Sequence, residues 1–295
     1  MKSKITLSLT IMLCLIIALS ACGGGKTGGG PVDIVIGGPA ETDATDETGA
    51  DSDSTDSGDK GKAEVLGSTV HAISKDIRLV SDIYSPYEEC LMGRYHYDYD
   101  DANRLYKITV DGGPNAGVWN ITYPDDETVY YENPDKSYYF TLSMGDEGVM
   151  TNYAGFINGA EVDQVLEYKD GYLDTTTTKT MGFTTVNSYI WNDSQLDIFE
   201  TKIMGQSFKT TYKYGDILNV ECSISPWVTS HLKNWYTPTH FCGNMSPNLV
   251  SSEYQALENL TIDYRFETDE KGYVTNVYYK KNNGEELLLY EVKYY

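Results

Sequence analysis

The chain predicts an all-β fold: a large, soluble, antiparallel up-and-down meander of about 12–14 strands, curled or barrel-like, with one loop and short-helix insertion. Three observations predict it. Tyrosine is abundant, 26 of 295 residues, and the runs that hold it alternate, as in Arg94-Tyr95-His96-Tyr97-Asp98-Tyr99 and Tyr138-Tyr139-Phe140-Thr141-Leu142-Ser143-Met144. Aromatic and β-branched residues at period two suit a half-buried pleated surface. Between residues 90 and 225 no stretch keeps a helical period over eleven residues. Third, an aromatic or Met residue followed within three positions by Asp, then by an aliphatic residue, recurs along the chain. The repeats start at Tyr99, Tyr123, Met144, Tyr168, Trp191 and Tyr214, spaced 21–24 residues apart, and a seventh at Phe266 follows an interruption.

The elements follow in chain order. Lys2 and Lys4 precede an apolar run from Ile5 to Leu19, and Leu19-Ser20-Ala21-Cys22 closes it. A basic start, a short apolar core and small residues form a secretory signal, so residues 1–21 are expected to be removed and Cys22 to carry lipid. As a membrane span the apolar run is short, since a bilayer core needs about 20 apolar residues. Two or three acyl chains on Cys22 anchor a protein stably without a spanning helix. Residues 22–62, rich in Gly and Asp, have too little apolar surface to fold and read as a tether. Such a tether of roughly 40 residues reaches about 35 Å. Gly25-Lys26-Thr27 lacks the first glycine and the flanking strand of a phosphate loop.

Residues 63–295 form the folded domain. A period near 23 equals two strands and two turns. Asp and Gly belong at those turns because they tolerate positive φ or bond their own backbone, and Asp170-Gly171 fits a type I′ turn. The Asp turns are expected on one rim, and Gly112-Gly113-Pro114, Pro134-Asp135, Asn158-Gly159 and Gly205-Gln206 on the other. A sheet of this length curls or closes, since strands twist and free edges invite association. Residues 225–258 break the pattern with Pro226, Trp227, His231, Trp235, Tyr236, Pro238, His240 and Cys242, and Ser251 to Leu260 is expected to add a short helix. This insertion reads as a plug over one end of the sheet, or as a loop that carries function. In the last strand Tyr294, Val292, Tyr290 and Leu288 should face protein, with Lys293 and Glu291 outward, where a membrane barrel would need apolar residues.

A lipobox, a Gly/Asp tether and hairpins such as Tyr95-His96-Tyr97-Asp98-Tyr99-Asp100-Asp101 and Tyr264…Gly272-Tyr273-Val274…Val277-Tyr278-Tyr279 resemble the DUF4595 lipoproteins of Bacteroidetes. The resemblance covers roughly residues 90–295. It implies a porin-like fold and an envelope habitat, and no site residues.

Formal net charge is −22, so the chain repels phosphate backbones and anionic lipid, which argues against nucleic acid as a partner. Cys222 and Cys242 are placed to pair as a disulfide that fastens the insertion to a strand. His240 and Cys242 also permit a nucleophile reading, but strand neighbours point apart. His71, His96, His231 and His240 show no zinc spacing, and no metal or cofactor is expected. Asp98, Asp100, Asp101 and Asn103 lack the Gly and Glu of a calcium loop and read as turn residues. No carboxylate pair stands out for glycoside hydrolysis. Trp227, His231, Trp235, Tyr236 and His240 are the candidate ligand contacts, because flat rings with polar tips suit glycans and interfaces. The expected function is a lipid-anchored, non-enzymatic binding module of the cell envelope, its outer membrane preferred, taking glycan or an envelope protein. A hydrolase of polysaccharide or peptide and a structural component without ligand are the alternatives.

Overall fold

A computed structural model describes residues 71–86, 93–113, 116–134, 138–157, 159–226 and 236–295. The leader, Cys22, the tether, Cys90, Trp227, His231 and Trp235 lie outside these residues. Sixteen strands follow one another: β1 (Val80–Ser85), β2 (Gly93–Tyr99), β3 (Leu105–Asp111), β4 (Gly117–Thr122), β5 (Thr128–Glu132), β6 (Tyr139–Met144), β7 (Met150–Ile157) and β8 (Ala160–Lys169). The second half is β9 (Tyr172–Thr180), β10 (Phe183–Asn192), β11 (Gln195–Ile203), β12 (Gln206–Leu218), β13 (Asn248–Gln255), β14 (Leu260–Thr268), β15 (Val274–Lys281) and β16 (Glu286–Tyr294). Each pairs antiparallel with its neighbours in sequence, and β1 pairs with β16, so the meander is a closed barrel.

The strand number exceeds the 12–14 expected from the repeats. Residues 248–258 account for part of the difference: they are not insertion, and the helix expected over 251–260 is β13 followed by a turn at 256–259. Leu249 and Val250 are both buried beside register slips in β12, and buried Glu253 shares their strand. Those exceptions mask the period of two. Among the described residues, the interruption between β12 and β13 is 219–226 and 236–247.

The described strands turn most of their apolar positions inward, with Tyr84, Tyr139, Val165, Ile190 and Tyr254 among the exceptions. Tyr95, Tyr97, Ile108, Tyr131, Phe140 and Leu142 are buried, while outward positions carry charge. Lys107 meets Asp98 at 2.8 Å, Lys202 meets Glu200 at 3.1 Å, and Arg265 meets Glu286 at 2.9 Å. Lys293 meets Glu291 at 3.5 Å on the outside of β16, as its alternation predicts. A slip between Val277 and Tyr278 makes Leu289, rather than Leu288, the buried residue beside Tyr290. A lipid-facing barrel needs an apolar outer band. Here the outer face carries many charges and the interior holds most of the buried aromatics.

The sequence repeat has a structural cause. The strand before an Asp-rim turn slips by one residue at Tyr99, Met144, Tyr168, Trp191 and Tyr214. Such a bulge re-aims a side chain. Around the rim the polar tips of Tyr123, Tyr168, Trp191 and Tyr214 reach back to a carbonyl at the start of the strand after the preceding turn. Tyr123 and Tyr214 donate to the Leu105 and Leu196 carbonyls at 2.8 Å, Tyr168 to Met150 at 2.9 Å, and Trp191 Nε1 to Leu173 at 2.7 Å. Four of these bonds span 18 residues. Aromatic, turn and aliphatic residue are one hydrogen-bonded unit repeated around the rim.

On the opposite rim, two-residue turns join β9 to β10 and β11 to β12. Their first residues are Met181 and Met204, at φ 49° and 50°, followed by Gly182 and Gly205. The type I′ turn favours Asn or Gly there, and both methionines are exposed, 67% and 66%. Met181→Asn and Met204→Asn are each expected to stabilise the fold by about 0.5–1 kcal/mol. Urea midpoints measure this, and an unchanged midpoint would mean that these turns carry no backbone strain.

Candidate functional site

The Asp-turn end of the barrel is closed from within. Residues 71–79 meet residues 219–226 there in a parallel bridge between Arg78 and Cys222, and residues 236–247 pack beside them. Ser223 is the knot. Its N–H donates to Arg78 O at 3.1 Å, its carbonyl accepts Thr239 N–H at 2.9 Å, and its hydroxyl meets Val80 N and Tyr99 OH, each at 2.8 Å. Further bonds tie the segments to the rim: Ile73 N–H to Asn103 O at 3.3 Å, Asn244 N–H to Gly171 O at 2.8 Å, and Leu196 N–H to Ser246 Oγ at 3.2 Å. Asp170 and Gly171 both have positive φ, the type I′ geometry expected for them.

Tyr236 enters the core of the barrel. Its ring packs on Phe140 at 4.9 Å and Tyr153 at 6.3 Å, and its carbonyl accepts the Tyr131 hydroxyl at 2.8 Å. A 3-10 helix, Thr239–Cys242, follows and buries Phe241 completely. His240 packs on Phe241 at 4.4 Å, and His71 stacks on Tyr123 at 5.7 Å. Neither nitrogen of His71, nor Nε2 of His240, has a hydrogen-bond partner. Burial lowers the pKa of His71 and takes that of His240 down to about 4. Both rings are therefore neutral near pH 7, as inert apolar groups of the plug.

Cys222 and Cys242 are buried, free thiols, so the disulfide expected between them is not formed. Cys222 Sγ is bonded to Ile224 O at 3.2 Å and Ser225 Oγ at 3.1 Å, which directs it within its own loop. Burial pushes the Cys242 thiol up to about 12. An activated nucleophile needs the opposite shift. Among the described residues no group of three or more His, Cys, Asp and Glu is placed to hold a metal ion.

Asp100 and Asp269 form matching turns. Asp100 Oδ1 accepts Ala102 and Arg104 N–H at 3.0 and 2.9 Å, and Asp269 Oδ1 accepts Lys271 and Tyr273 N–H at 2.9 and 3.1 Å. Each carboxylate also holds a guanidinium over an aromatic ring of the repeat. Arg104 bonds Asp100 at 2.7 Å and covers Tyr123 at 4.8 Å, while Arg78 bonds Asp269 and covers Tyr294 at 4.6 Å. Asp100 therefore acts in turn formation, as its spacing suggests, whereas Asp98 lies on β2 and pairs with Lys107.

Away from the plug, the inside wall of β8 to β12 sets polar side chains among apolar ones such as Leu166, Tyr189, Phe199 and Tyr212. Register places Gln164 opposite Thr178, Thr176 opposite Asn187, and Asn187 opposite Thr201. Gln164 Nε2 donates to Thr178 Oγ1 at 2.8 Å and Asn187 Nδ2 to Thr176 Oγ1 at 2.9 Å. Leu166 and Tyr189, on the same parity, are buried, which identifies the face as inward. Gln164, Thr178, Asn187, Thr201 and Thr210 are nevertheless half-exposed. Side chains that point into a closed barrel and stay accessible border open space within it. Sixteen strands can enclose more room than side chains alone fill. On β13, buried Glu253 faces the same interior and accepts Gln255 Nε2 at 3.0 Å.

Sequence reading did not single out these wall residues. The Thr175–Thr178 run has no apolar partner to tell inside from outside, so only the pairing register assigns its faces.

This architecture has solved counterparts. The chain shares its fold with porin-like proteins of Bacteroides. A porin-like protein from Bacteroides uniformis superposes with a TM-score of 0.54 at 16% identity, covering 69% of this chain and 91% of that one. Another from Bacteroides vulgatus gives 0.56 at 11% identity, covering 74% and 99%. No protein-family profile matches the chain, and no curated protein does. The likeness is one of fold, a porin-like barrel, and does not reach the DUF4595 family named by the sequence pattern.

Proposed function

We propose that this chain is a lipid-anchored binding module of the bacterial envelope, without catalytic activity, which takes its ligand inside the barrel. The observation that carries the reading is the half-exposed polar wall of β8 to β12 facing inward in a closed barrel. Binding sites gather polar groups within a concave, otherwise apolar surface, often in barrel mouths. Thiols with raised pKa and the turn role of Asp100 favour binding over chemistry. Lipidation at Cys22, an outer-membrane address and kinship with the DUF4595 lipoproteins rest on the lipobox, the tether and the repeat. The charged outer face supports a domain held beside a membrane rather than one crossing it. Glycan or an envelope protein is the ligand class, and the interior wall takes the place that Trp227, His231, Trp235, Tyr236 and His240 held as candidate contacts. Of these, Tyr236 and His240 belong to the plug.

The test is a thermal-shift screen of the full-length protein against soluble glycans, peptides and envelope extracts, with Thr178→Trp as a variant that fills the interior. A shift that Thr178→Trp removes is expected. A ligand that binds Thr178→Trp and the parent protein equally, or no ligand from any class, would refute the reading.

A further inference from the structure

We infer that the inward wall of β8 to β12 binds a neutral oligosaccharide, an assignment that rests on the interior-binding reading above. The first argument is the segregation of charge. The chain holds 44 acidic and 22 basic residues, and outward positions on these strands include Glu161, Asp163, Glu167, Lys179, Glu200 and Lys202. The alternating inward positions between them are uncharged: on β8 to β10 the paired rows read Gln164, Thr178, Thr185 and Thr176, Asn187. Apart from the buried Glu253 carboxylate on neighbouring β13, the wall has no fixed charge, and it offers an anionic ligand nothing in return for its lost hydration.

The second argument is the kind of polar group. Amides and hydroxyls both donate and accept, and sugar hydroxyls require both from a partner. The Gln164–Thr178 and Asn187–Thr176 bonds hold the amides in fixed orientations, which reduces the ordering cost on binding. Half-buried Phe208 pairs with Thr201 on the same inward face, and an apolar ring beside hydroxyls and amides suits the C–H face of a pyranose. The third argument concerns the competing ligand. Peptides that bind β-proteins commonly add a strand to a free edge, and the closed barrel has none. Sugar is the class that the wall can satisfy side chain by side chain.

The test uses the full chain and titration calorimetry with three probe sets: neutral hexose and N-acetylhexosamine oligosaccharides, their uronic-acid and sulfated counterparts, and neutral tetrapeptides. Asn187→Ala and Gln164→Ala remove inward amides, Thr178→Trp fills the space, and outward Ser188→Ala is the control. Unfolding midpoints establish that each variant folds. The expected result is binding of a neutral oligosaccharide, weakened about tenfold by each amide deletion, abolished by Thr178→Trp and unchanged by Ser188→Ala. Charged sugars binding as well as neutral ones would overturn the assignment. Peptide binding that Thr178→Trp abolishes, with no sugar bound, would overturn the sugar class and leave the interior site standing. Sugar binding indifferent to all three inward variants would overturn the location, and no binding by any probe would overturn the proposal itself.

Discussion

Asp100→Ala is expected to destabilise the barrel by about 3–5 kcal/mol, the usual effect of stranding one partner of a buried ion pair. Only 2% of the Arg104 side chain and 8% of the Asp100 side chain are exposed. Asp100 contributes at two levels. Oδ1 holds the turn through the N–H groups of Ala102 and Arg104, and Oδ2 accepts Arg104 Nε at 2.8 Å. Without the carboxylate, the guanidinium keeps its contact with Tyr123 but has lost the anion that offset its desolvation. Exposed Asp101, next in the chain, is the control, and Asp101→Ala should stay within about 0.5 kcal/mol. Guanidinium unfolding midpoints decide the matter. A loss below about 1 kcal/mol for Asp100→Ala would mean that water reaches Arg104 and that the pair resembles a surface ion pair.

Acid should loosen the plug before it protonates most carboxylates. The folded-state pKa of His240 is near 4, against 6.5 for a free histidine. A group with a depressed folded pKa binds protons more readily in the unfolded chain, and for histidine this means stability is complete above about pH 6.5 and falls as pH drops toward 4. A separation of this size is worth about 3 kcal/mol. His71 shifts in the same direction through burial, with Arg104 adding to the effect and Asp126 and Asp125 opposing it. The denaturant midpoint should therefore fall steadily between pH 6.5 and 4.5, and the double substitution His71→Phe, His240→Phe should flatten that slope. An equal slope in the double variant would assign the acid sensitivity to carboxylates instead.

The rim was legible because its chemistry is local. A bulge, an Asx-type turn and an aliphatic strand start lie within a few residues of one another, so the unit repeats in the sequence as it does in space. The two-fold alternation of β2 and β6 was equally plain, since their inward residues are uniformly apolar. Strand β13 escaped notice for the converse reason: Glu253 sits at an inward position where the period calls for an apolar residue. The candidate contacts were drawn to the insertion by its rings. Yet Tyr236 is engaged by Tyr131, Phe140 and Tyr153, all distant in sequence, and local pattern carries no information about such partners. The Cys222–Cys242 disulfide failed on the same ground, since a compatible spacing does not determine where two thiols point.

By itself the sequence determined an all-β meander, its turn chemistry, its acidic outer face and the lipobox that sets its expected address. These depend on periodicity and composition, which act over a few residues. Tertiary structure alone decided that β1 meets β16 to close the sheet, that residues 71–79, 219–226 and 236–247 gather at one end, and that threonines and amides of β8 to β12 face inward. Closure joins strands about two hundred residues apart, and a one-residue change of register would turn every side chain of a strand to the other face. The tether and lipid proposed for residues 22–62 and Cys22 concern where the barrel is held; the inward wall carries the proposal of what it holds.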